Sequence, residues 1–326
     1  MVTETLLSVR DLEVGVGRRR DAQPIVRHVS FDVAPGEAVG IVGETGSGKT
    51  LSMLAVMGLL PPQVQLTGGE IVFDGRDLAR LRGRDLRRLR GRELAMVYQD
   101  PATSLNPLMT IGSQIEEALL AHGVARAQAR VQVQAALEQV GIPDPERTAR
   151  AYPHQFSGGM RQRAMIATAL VLSPKLLIAD EPTTALDVTI QQQILALVRR
   201  LQDERRMAII WITHDLGVVA RLVDRVVVMY AGHVVEHAPT RVLFRRPEHP
   251  YTAGLLAALP DPTDRARPPL AQIAGAPPDP THVPKGCPFH DRCPQAIERC
   301  VRERPPLTER GNGGAAACWV PPGEWR

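Results

Sequence analysis

The sequence predicts an α/β protein in which short buried strands alternate with helices, followed by a proline-rich segment. Three observations carry this prediction. Apolar runs of strand length recur along residues 1–238, separated by helical stretches. A glycine-rich phosphate loop, Gly43–Thr50, joins one such strand to a helix. Beyond Ala238 the composition changes, since that part holds 17 of the 28 prolines and all four cysteines.

The elements follow in order along the chain. The predicted strands are Leu6–Val14, Ser30–Ala34, Glu37–Val42, Gly69–Asp74, Leu94–Tyr98, Lys175–Ala179, Ala208–Thr213 and Arg225–Tyr230. Helices are predicted at Lys49–Leu60 and Val188–Arg205, and residues 111–172 are predicted to contain helices only. We therefore predict a helical insertion, about residues 100–172, within an α/β core whose sheet is covered on both faces.

Composition excludes several classes of protein. The longest apolar run, Leu51–Leu60, is shorter than the roughly 20 residues of a membrane span. No secretory signal is recognisable at the N-terminus, so we expect a soluble cytoplasmic protein. The net charge is +4, and eight arginines fall between Arg76 and Arg92. Asp77 and Asp85 lie among these arginines, and no aromatic residue lies in the same stretch. We therefore predict a salt-bridged surface and no nucleic-acid partner.

The phosphate loop predicts a nucleotide site. Its residues are Gly43, Glu44, Thr45, Gly46, Ser47, Gly48, Lys49 and Thr50. The glycines let backbone N–H groups turn towards the β-phosphate. The Lys49 ammonium then supplies positive charge to the β- and γ-phosphates, and the Thr50 hydroxyl coordinates Mg²⁺.

Polar residues at the ends of three other strands are candidates for the same site. Asp180 ends an apolar strand and suits a direct or water-mediated contact with Mg²⁺, and Glu181 beside it suits polarisation of the attacking water. Gln99 opens the segment Gln99–Pro107, which is predicted to be too proline-rich for a helix. We expect the side-chain amide of Gln99 to reach the metal or its water. A lone histidine is usually structural, but the strand-end position of His214 favours contact with the γ-phosphate.

A second anion site is predicted at Ser157-Gly158-Gly159, which opens a helix. A hydroxyl, bare backbone N–H groups and a positive helix end together suit a phosphate. Since the phosphate loop already holds one nucleotide, we expect this second site to contact nucleotide that is bound to another subunit. The sequence therefore predicts an ATP-driven dimer.

The four cysteines point to a metal centre. They are Cys287, Cys293, Cys300 and Cys318, spaced C-x5-C-x6-C-x17-C. A reducing compartment disfavours disulfides. Four thiolates concentrated in one segment favour a Cys₄ centre, and the spacing leaves both zinc and iron–sulfur open.

Together these motifs resemble the ATP-binding subunit of ABC transporters. The matching segments are Gly43–Thr50 (Walker A), Gln99 (Q-loop), Ser157, Gly158, Gly159 and Met160 (signature), Asp180 and Glu181 (Walker B and catalytic glutamate), Ala185-Leu186-Asp187 (D-loop) and His214 (switch histidine). The resemblance implies a P-loop NTPase core over residues 1–238 with an antiparallel β subdomain and a helical subdomain. It also implies a head-to-tail dimer in which Ser157–Met160 and Asp187 act on nucleotide between two subunits.

The resemblance is incomplete at two positions. The family commonly places an aromatic residue near the end of the first strand to stack on adenine, whereas this chain has Val16. The fourth residue of the segment Ser157–Met160 is Met160, where the family commonly has glutamine. We expect phosphate contact to survive, because Ser157 and the backbone N–H groups make most of it.

A further resemblance covers residues 239–326. Gly286–Cys293 and His249–Leu256 are similar to the C-terminal region of oligopeptide, dipeptide and nickel importer ATPases. Some members of that family hold a 4Fe–4S cluster through four cysteines, which implies the same cofactor for this module, with Zn²⁺ as the alternative.

The family also implies a function and partners. This would be the ATPase subunit that energises import of dipeptides or oligopeptides, at the cytoplasmic face of the membrane as a peripheral protein. Its partners would be a second, different ATPase subunit, two transmembrane permease subunits and an extracytoplasmic binding protein. Nickel or another small solute remains an alternative substrate. A soluble ABC ATPase acting on ribosomes or DNA is a further alternative, which one Walker A motif and the lack of a heptad run disfavour.

Overall fold

The computed structural model describes residues 5–17, 21–81, 83–184, 186–259, 271–311 and 313–325. The strands of this part are β1 Leu7–Val16, β2 Gln23–Val33, β3 Ala38–Val42, β4 Val64–Phe73, β5 Arg76–Asp77, β6 Leu94–Val97, β7 Leu176–Asp180, β8 Ala208–Thr213, β9 Arg225–Tyr230, β10 His233–Pro239, β11 Thr308–Arg310 and β12 Gly314–Ala316. The helices are α1 Lys49–Met57, α2 Arg84–Leu89, α3 Pro101–Ser104, α4 Ile111–Ala121, α5 Arg126–Gln139, α6 Pro145–Thr148, α7 Gly158–Leu170, α8 Val188–Arg205, α9 Leu216–Leu222, α10 Thr240–Arg245, α11 Pro250–Ala257 and α12 Glu298–Arg302.

The chain forms two compact units. The first consists of Met1–Val33, Ala38–Ala79 and Trp211–Arg326, and the second of Ala34–Glu37 and Arg80–Ile210. The chain passes from the second unit to the first within β8.

An antiparallel sheet forms one layer of the first unit, with strand order β2-β1-β4-β5. Val9 pairs with Phe31 on one side and Ile71 on the other, and all three side chains are buried. This layer is the predicted antiparallel β subdomain. Its second strand begins at Gln23 and not at Ser30, because the pairing with β1 extends the strand beyond its apolar end.

The other strands of the first unit carry the phosphate loop. Strand β3 pairs with β9 in parallel, and β9 is followed by antiparallel β10, β12 and β11. Strand β10 runs through the predicted boundary between residues 238 and 239. That boundary stays a prediction.

The second unit combines a parallel strand pair with helices. Strands β6 and β7 pair from Leu94 to Val97, and their side chains are buried. Helices α4, α5 and α7 pack on one another around Ile115, Leu119 and Leu137. The prediction that residues 111–172 contain only helices is confirmed by this structure, as is the α/β class.

The prediction of no helix in Gln99–Pro107 is wrong, because α3 forms one helical turn there. Pro101 is its first residue, a position where the fixed φ of proline suits a helix and no N–H is needed. The Asp100 carboxylate caps the turn by accepting the Ala102 N–H at 2.8 Å. Among the described residues, no helix has the length and apolar character needed to cross a membrane.

Candidate functional site

The phosphate loop follows the fully buried strand β3 and opens α1. Gly43 has φ +155°, and a Cβ there would lie 2.2 Å from the Met229 carbonyl oxygen, so only glycine fits. Gly48 precedes α1 with φ 95° and provides no side-chain cap. Because no side chain of this residue covers the first N–H groups of α1, that helix end is suited to an anion.

Lys49 lies within this loop. Its side chain is buried, and its ammonium donates to the Gly43 carbonyl at 2.7 Å and the Glu44 carbonyl at 3.0 Å. The Ser47 hydroxyl lies at 3.4 Å from the same nitrogen. Thr50, next along the helix, is exposed. The loop therefore places one cation and one hydroxyl at the start of α1.

Glu44 is held by residues of the C-terminal part of the chain. The Arg292 guanidinium donates to both of its carboxylate oxygens, at 2.7 and 3.0 Å. The backbone N–H of Glu44 donates to the Tyr251 hydroxyl at 2.9 Å. Sequence reasoning missed both partners, because no local signal links positions about 200 residues apart.

His214 also belongs to the first unit. It is exposed and directly follows the buried strand β8. The next residue, Asp215, caps α9 by accepting the Gly217 N–H at 2.8 Å. This cap ends the strand and fixes the start of the helix immediately after His214.

The acidic pair lies in the second unit. Asp180 ends the fully buried strand β7 and is itself buried. Glu181 follows with φ 45°, a left-handed conformation that is uncommon for glutamate. Its Oε2 accepts from the Gln99 amide at 3.2 Å and from the Thr184 hydroxyl at 3.0 Å. The structure thus brings together Gln99 and Glu181, which the sequence placed at the ends of two separate strands.

The signature segment caps a helix. Ser157 precedes α7, and its hydroxyl accepts the Met160 N–H at 3.3 Å. Ser157 and Gly158 are exposed, so the N-terminus of α7 faces solvent in this chain. Asp187 caps α8 in the same way, by accepting the Ile190 N–H at 2.9 Å.

These two helix starts are neighbours. A Cβ on Gly159 would lie 2.8 Å from Ile190 Cγ2, and one on Gly158 would lie 3.8 Å from Leu186 Cδ2. The close contact with Ile190 explains why glycine is needed at position 159. Ala185, the first residue of the predicted D-loop, lies outside the described residues.

The cysteines of the C-terminal segment influence one another electrostatically. Burial raises the pKa of the Cys287 thiol to about 12, and the other three cysteines contribute in the same direction. Burial likewise raises the pKa of Cys293 to about 11. The Cys287 N–H donates to the Cys300 carbonyl at 2.7 Å, which joins two of the cysteine-bearing stretches.

The donor set fits a Cys₄ centre in number and kind, but its arrangement is not that of a metal site. No group of three or more His, Cys, Asp or Glu side chains within the described ranges could hold a metal ion. Since thiols of raised pKa are protonated at neutral pH, any metal bound there would have to displace protons.

Family models match two parts of the chain. The ABC transporter family matches residues 26–184, and the C-terminal region of oligopeptide/dipeptide transporters matches residues 235–300. The chain is 48% identical to the dipeptide transport ATP-binding protein DppD of Bacillus subtilis, over 97% of this chain and 95% of that protein. It is 47% identical to the oligopeptide transport ATP-binding protein OppD of Salmonella typhimurium, over 97% and 94%.

Solved structures agree with this match. The dimeric structure of the ATP-binding cassette MJ0796 in a post-hydrolysis state with ADP and Pi is 26% identical, with a TM-score of 0.64 over 72% of this chain and 99% of that one. The structure of cbiO1 from Clostridium perfringens, part of the ABC transporter complex cbiONQ, is 27% identical, with a TM-score of 0.63 over 74% and 91%. The chain belongs to the ATP-binding proteins of the ABC transporter family.

Proposed function

We propose that this chain hydrolyses ATP to energise the import of dipeptides or oligopeptides through an ABC transporter. The observation that carries the proposal is identity of 47–48% to dipeptide and oligopeptide transport ATP-binding proteins over 97% of the chain. That similarity extends through the C-terminal region matched at residues 235–300. It therefore includes a part of the chain outside the ATPase family match at residues 26–184.

In the proposed site, the residues of the phosphate loop bind the phosphates. Backbone N–H groups of Gly43–Thr50 and the Lys49 ammonium neutralise the β- and γ-phosphates. Thr50, Gln99 and Asp180 would hold Mg²⁺, directly or through water. When bound, the ion supplies charge neutralisation at the phosphoryl oxygens. The burial of Lys49 within the loop and the exposure of Thr50 support these roles.

Glu181 is proposed as the general base. Its carboxylate accepts hydrogen bonds from Gln99 and Thr184, which fix its direction. His214 is proposed to contact the γ-phosphate, and its exposed place directly after a buried strand supports this. In phosphoryl transfer, positioning and charge stabilisation of this kind supply most of the rate enhancement.

The second anion site is proposed to act in a dimer. Ser157, Gly158, Gly159 and Met160 would contact nucleotide held by the phosphate loop of another subunit, beside Asp187. The exposed and capped start of α7 supports this role. The dimeric cassette among the similar structures supports pairing of two such domains.

The proposed assembly contains a second, different ATPase subunit and two transmembrane permease subunits. An extracytoplasmic binding protein would deliver the solute, and the chain would lie at the cytoplasmic face of the membrane as a peripheral subunit. Closure of the ATPase pair on ATP, followed by hydrolysis and reopening, would drive the permease between its conformations.

We also propose that Cys287, Cys293, Cys300 and Cys318 hold a 4Fe–4S cluster, with zinc as the alternative. The number and kind of the four thiols within one segment support this proposal, and cluster binding would require their side chains to rearrange. The test is the metal and sulfide content of anaerobically purified protein, which does not depend on its ATPase activity. Iron and acid-labile sulfide in equal amounts support the cluster, whereas a colourless protein with stoichiometric zinc contradicts it.

Co-purification from membranes tests the transport function. Tagged protein is expected to bring down two permease subunits, a second ATPase and a binding protein whose ligand is a peptide. A binding protein loaded with nickel or another small solute would change the assigned substrate from peptides to that solute. Recovery with ribosomes or DNA, and without permease subunits, would contradict the transport role altogether.

A further inference from the structure

Arg292 forms a two-pronged ion pair with a residue of the phosphate loop. Its Nη1 donates to Glu44 Oε2 at 2.7 Å and its Nη2 donates to Glu44 Oε1 at 3.0 Å. The arginine side chain is 6% exposed and that of the glutamate is 28% exposed. Two parallel hydrogen bonds between a guanidinium and a carboxylate are stronger and more directional than a single contact.

The guanidinium is held in place from other sides as well. Its Nε donates to the Ala274 carbonyl at 2.9 Å, and its Nη1 donates to the Tyr230 hydroxyl at 3.2 Å. It also lies 5.8 Å from the ring centre of Tyr230 and 5.9 Å from that of Phe289. Because its surroundings fix the arginine, it presents a preorganised cation to the loop.

Glu44 is fixed at its backbone too. Its N–H donates to the Tyr251 hydroxyl, which is fully buried, at 2.9 Å. Its carbonyl accepts from Lys49 Nζ at 3.0 Å. Backbone N–H, carbonyl and carboxylate of this one loop residue are thus all engaged, two of them by the C-terminal part of the chain.

The charge of Glu44 works against the function of the loop. A carboxylate within the phosphate loop opposes the binding of a polyanionic ligand there, since like charges repel. A fixed arginine on both carboxylate oxygens cancels that charge. The Lys49 ammonium and the helix N-terminus are then left to attract the phosphates.

We propose that Arg292 is a positioning residue for ATP binding, which neutralises Glu44 and anchors the phosphate loop to the C-terminal segment. The inference rests on the ATPase function proposed for the same site. It goes further by making a residue outside the ATPase family match at residues 26–184 a determinant of ATP affinity.

A charge-rescue experiment tests this. Arg292→Gln removes the cation and leaves a polar side chain of similar reach, so Glu44 is left uncompensated. We expect the dissociation constant of a fluorescent ATP analogue and the KM for ATP to rise about 10-fold, with kcat changed less than about two-fold. The double variant Arg292→Gln/Glu44→Gln is expected to regain affinity to within about three-fold of the wild type, because it carries no uncompensated carboxylate.

Arg302→Gln is the matched control. It removes an exposed arginine of the same segment that pairs with exposed Glu298, and we expect no change in ATP affinity. If the single Arg292→Gln variant does not fold, Arg292→Lys with and without Glu44→Gln replaces it. Lysine keeps the charge without the fork, so its affinity is expected to lie between those of wild type and a neutral variant.

Two results would overturn the inference. One is unchanged ATP affinity in Arg292→Gln. The other is equal weakening in the single and double variants, which would mean that Arg292 acts through its contacts with Ala274, Tyr230 or Phe289 and not through Glu44. Neither result contradicts the proposed ATPase function. That function would be contradicted by a wild-type protein that fails to bind the ATP analogue.

Discussion

The Gln99 amide donates a 3.2 Å hydrogen bond to the Glu181 carboxylate, joining two residues that lie 82 positions apart in the sequence. One follows strand β6 and the other follows strand β7, and these strands pair in parallel. Because parallel strands end at the same edge of a sheet, residues just beyond their carboxyl ends meet there. The strand pairing therefore positions the amide on the carboxylate that we propose as the base.

Replacement of Glu181 by glutamine is expected to separate binding from hydrolysis. The amide keeps the size of the side chain and an oxygen for the Gln99 and Thr184 donors, but it has no basic carboxylate. ATP affinity should remain within about three-fold, and turnover should fall roughly 10²-fold or more. Glu146→Gln is the matched control, because Glu146 forms an exposed pair with Arg150 in the same unit. Near-normal ATPase activity of Glu181→Gln would contradict its role as base.

Replacement of Gln99 by alanine is expected to have a smaller effect. Glu181 would keep the Thr184 hydroxyl as one partner, at 3.0 Å. Its carboxylate would therefore be held less firmly but would keep its orientation in part. We expect kcat to fall about 10-fold, which corresponds to the net value of one hydrogen bond to a charged group. Steady-state ATPase kinetics measure this effect. A loss as large as that of Glu181→Gln would show that the proposed contact of Gln99 with Mg²⁺ or its water matters more than its orientation of the carboxylate.

Two replacements at Ser157 separate capping from phosphate contact. Ser157→Ala removes the cap on the Met160 N–H and should lower the unfolding free energy by about 1 kcal/mol. Ser157→Asp keeps a capping oxygen, so thermal stability should change little. Its negative charge, however, should block the approach of nucleotide from another subunit.

The effect on nucleotide contact is measured by ATP-dependent dimer formation. Both Ser157 variants carry Glu181→Gln, and the partner ATPase is present. Thr110→Asp is the matched control, because Thr110 caps α4 in the same unit and is not a predicted site residue. The proposed role of Ser157 fails if Ser157→Asp forms dimers as readily as its parent.

Sequence patterns predicted the elements that are bounded by local signals. The bounds of Val188–Arg205, Ala208–Thr213 and Arg225–Tyr230 agree with the structure, because each segment starts and ends at a clear change of composition. Asp187 marks the start of α8 as an N-cap. The turn Pro101–Ser104 was missed because proline was taken as a helix breaker, although at the first helical position it is favourable.

Long-range contacts had no such signal. The pairing of β10 with β12 joins stretches about 80 residues apart, and β12 is a three-residue segment that carries no strand pattern. The ion pair of Arg292 with Glu44 spans 248 positions. Residue types and spacing identified the phosphate loop, but its C-terminal partners follow only from the tertiary fold.

His249 gives the first unit a pH dependence. Its ring is buried beside Phe289, and burial lowers its pKa to about 3. The unfolded chain takes up the proton near pH 6.5, so the unfolded state binds more protons between these values. The contribution of His249 is therefore complete above about pH 6.5 and is lost as the pH falls through this window. Buried Glu236, with a pKa raised to about 7, acts in the opposite sense, since its stabilising effect is lost as the pH rises from about 4.5 to 7.

Replacement of His249 by asparagine isolates its contribution. The asparagine amide oxygen is able to accept the Tyr251 N–H, as the His249 ring nitrogen does at 3.1 Å, so the cap of α11 is kept. The variant should be less stable at pH 7, because it loses the contact with Phe289. Between about pH 7 and pH 5, however, the wild type should lose about 2 kcal/mol more than the variant. Denaturant unfolding at both pH values measures this difference. Equal losses in the two proteins would mean that His249 does not become protonated on unfolding in this range.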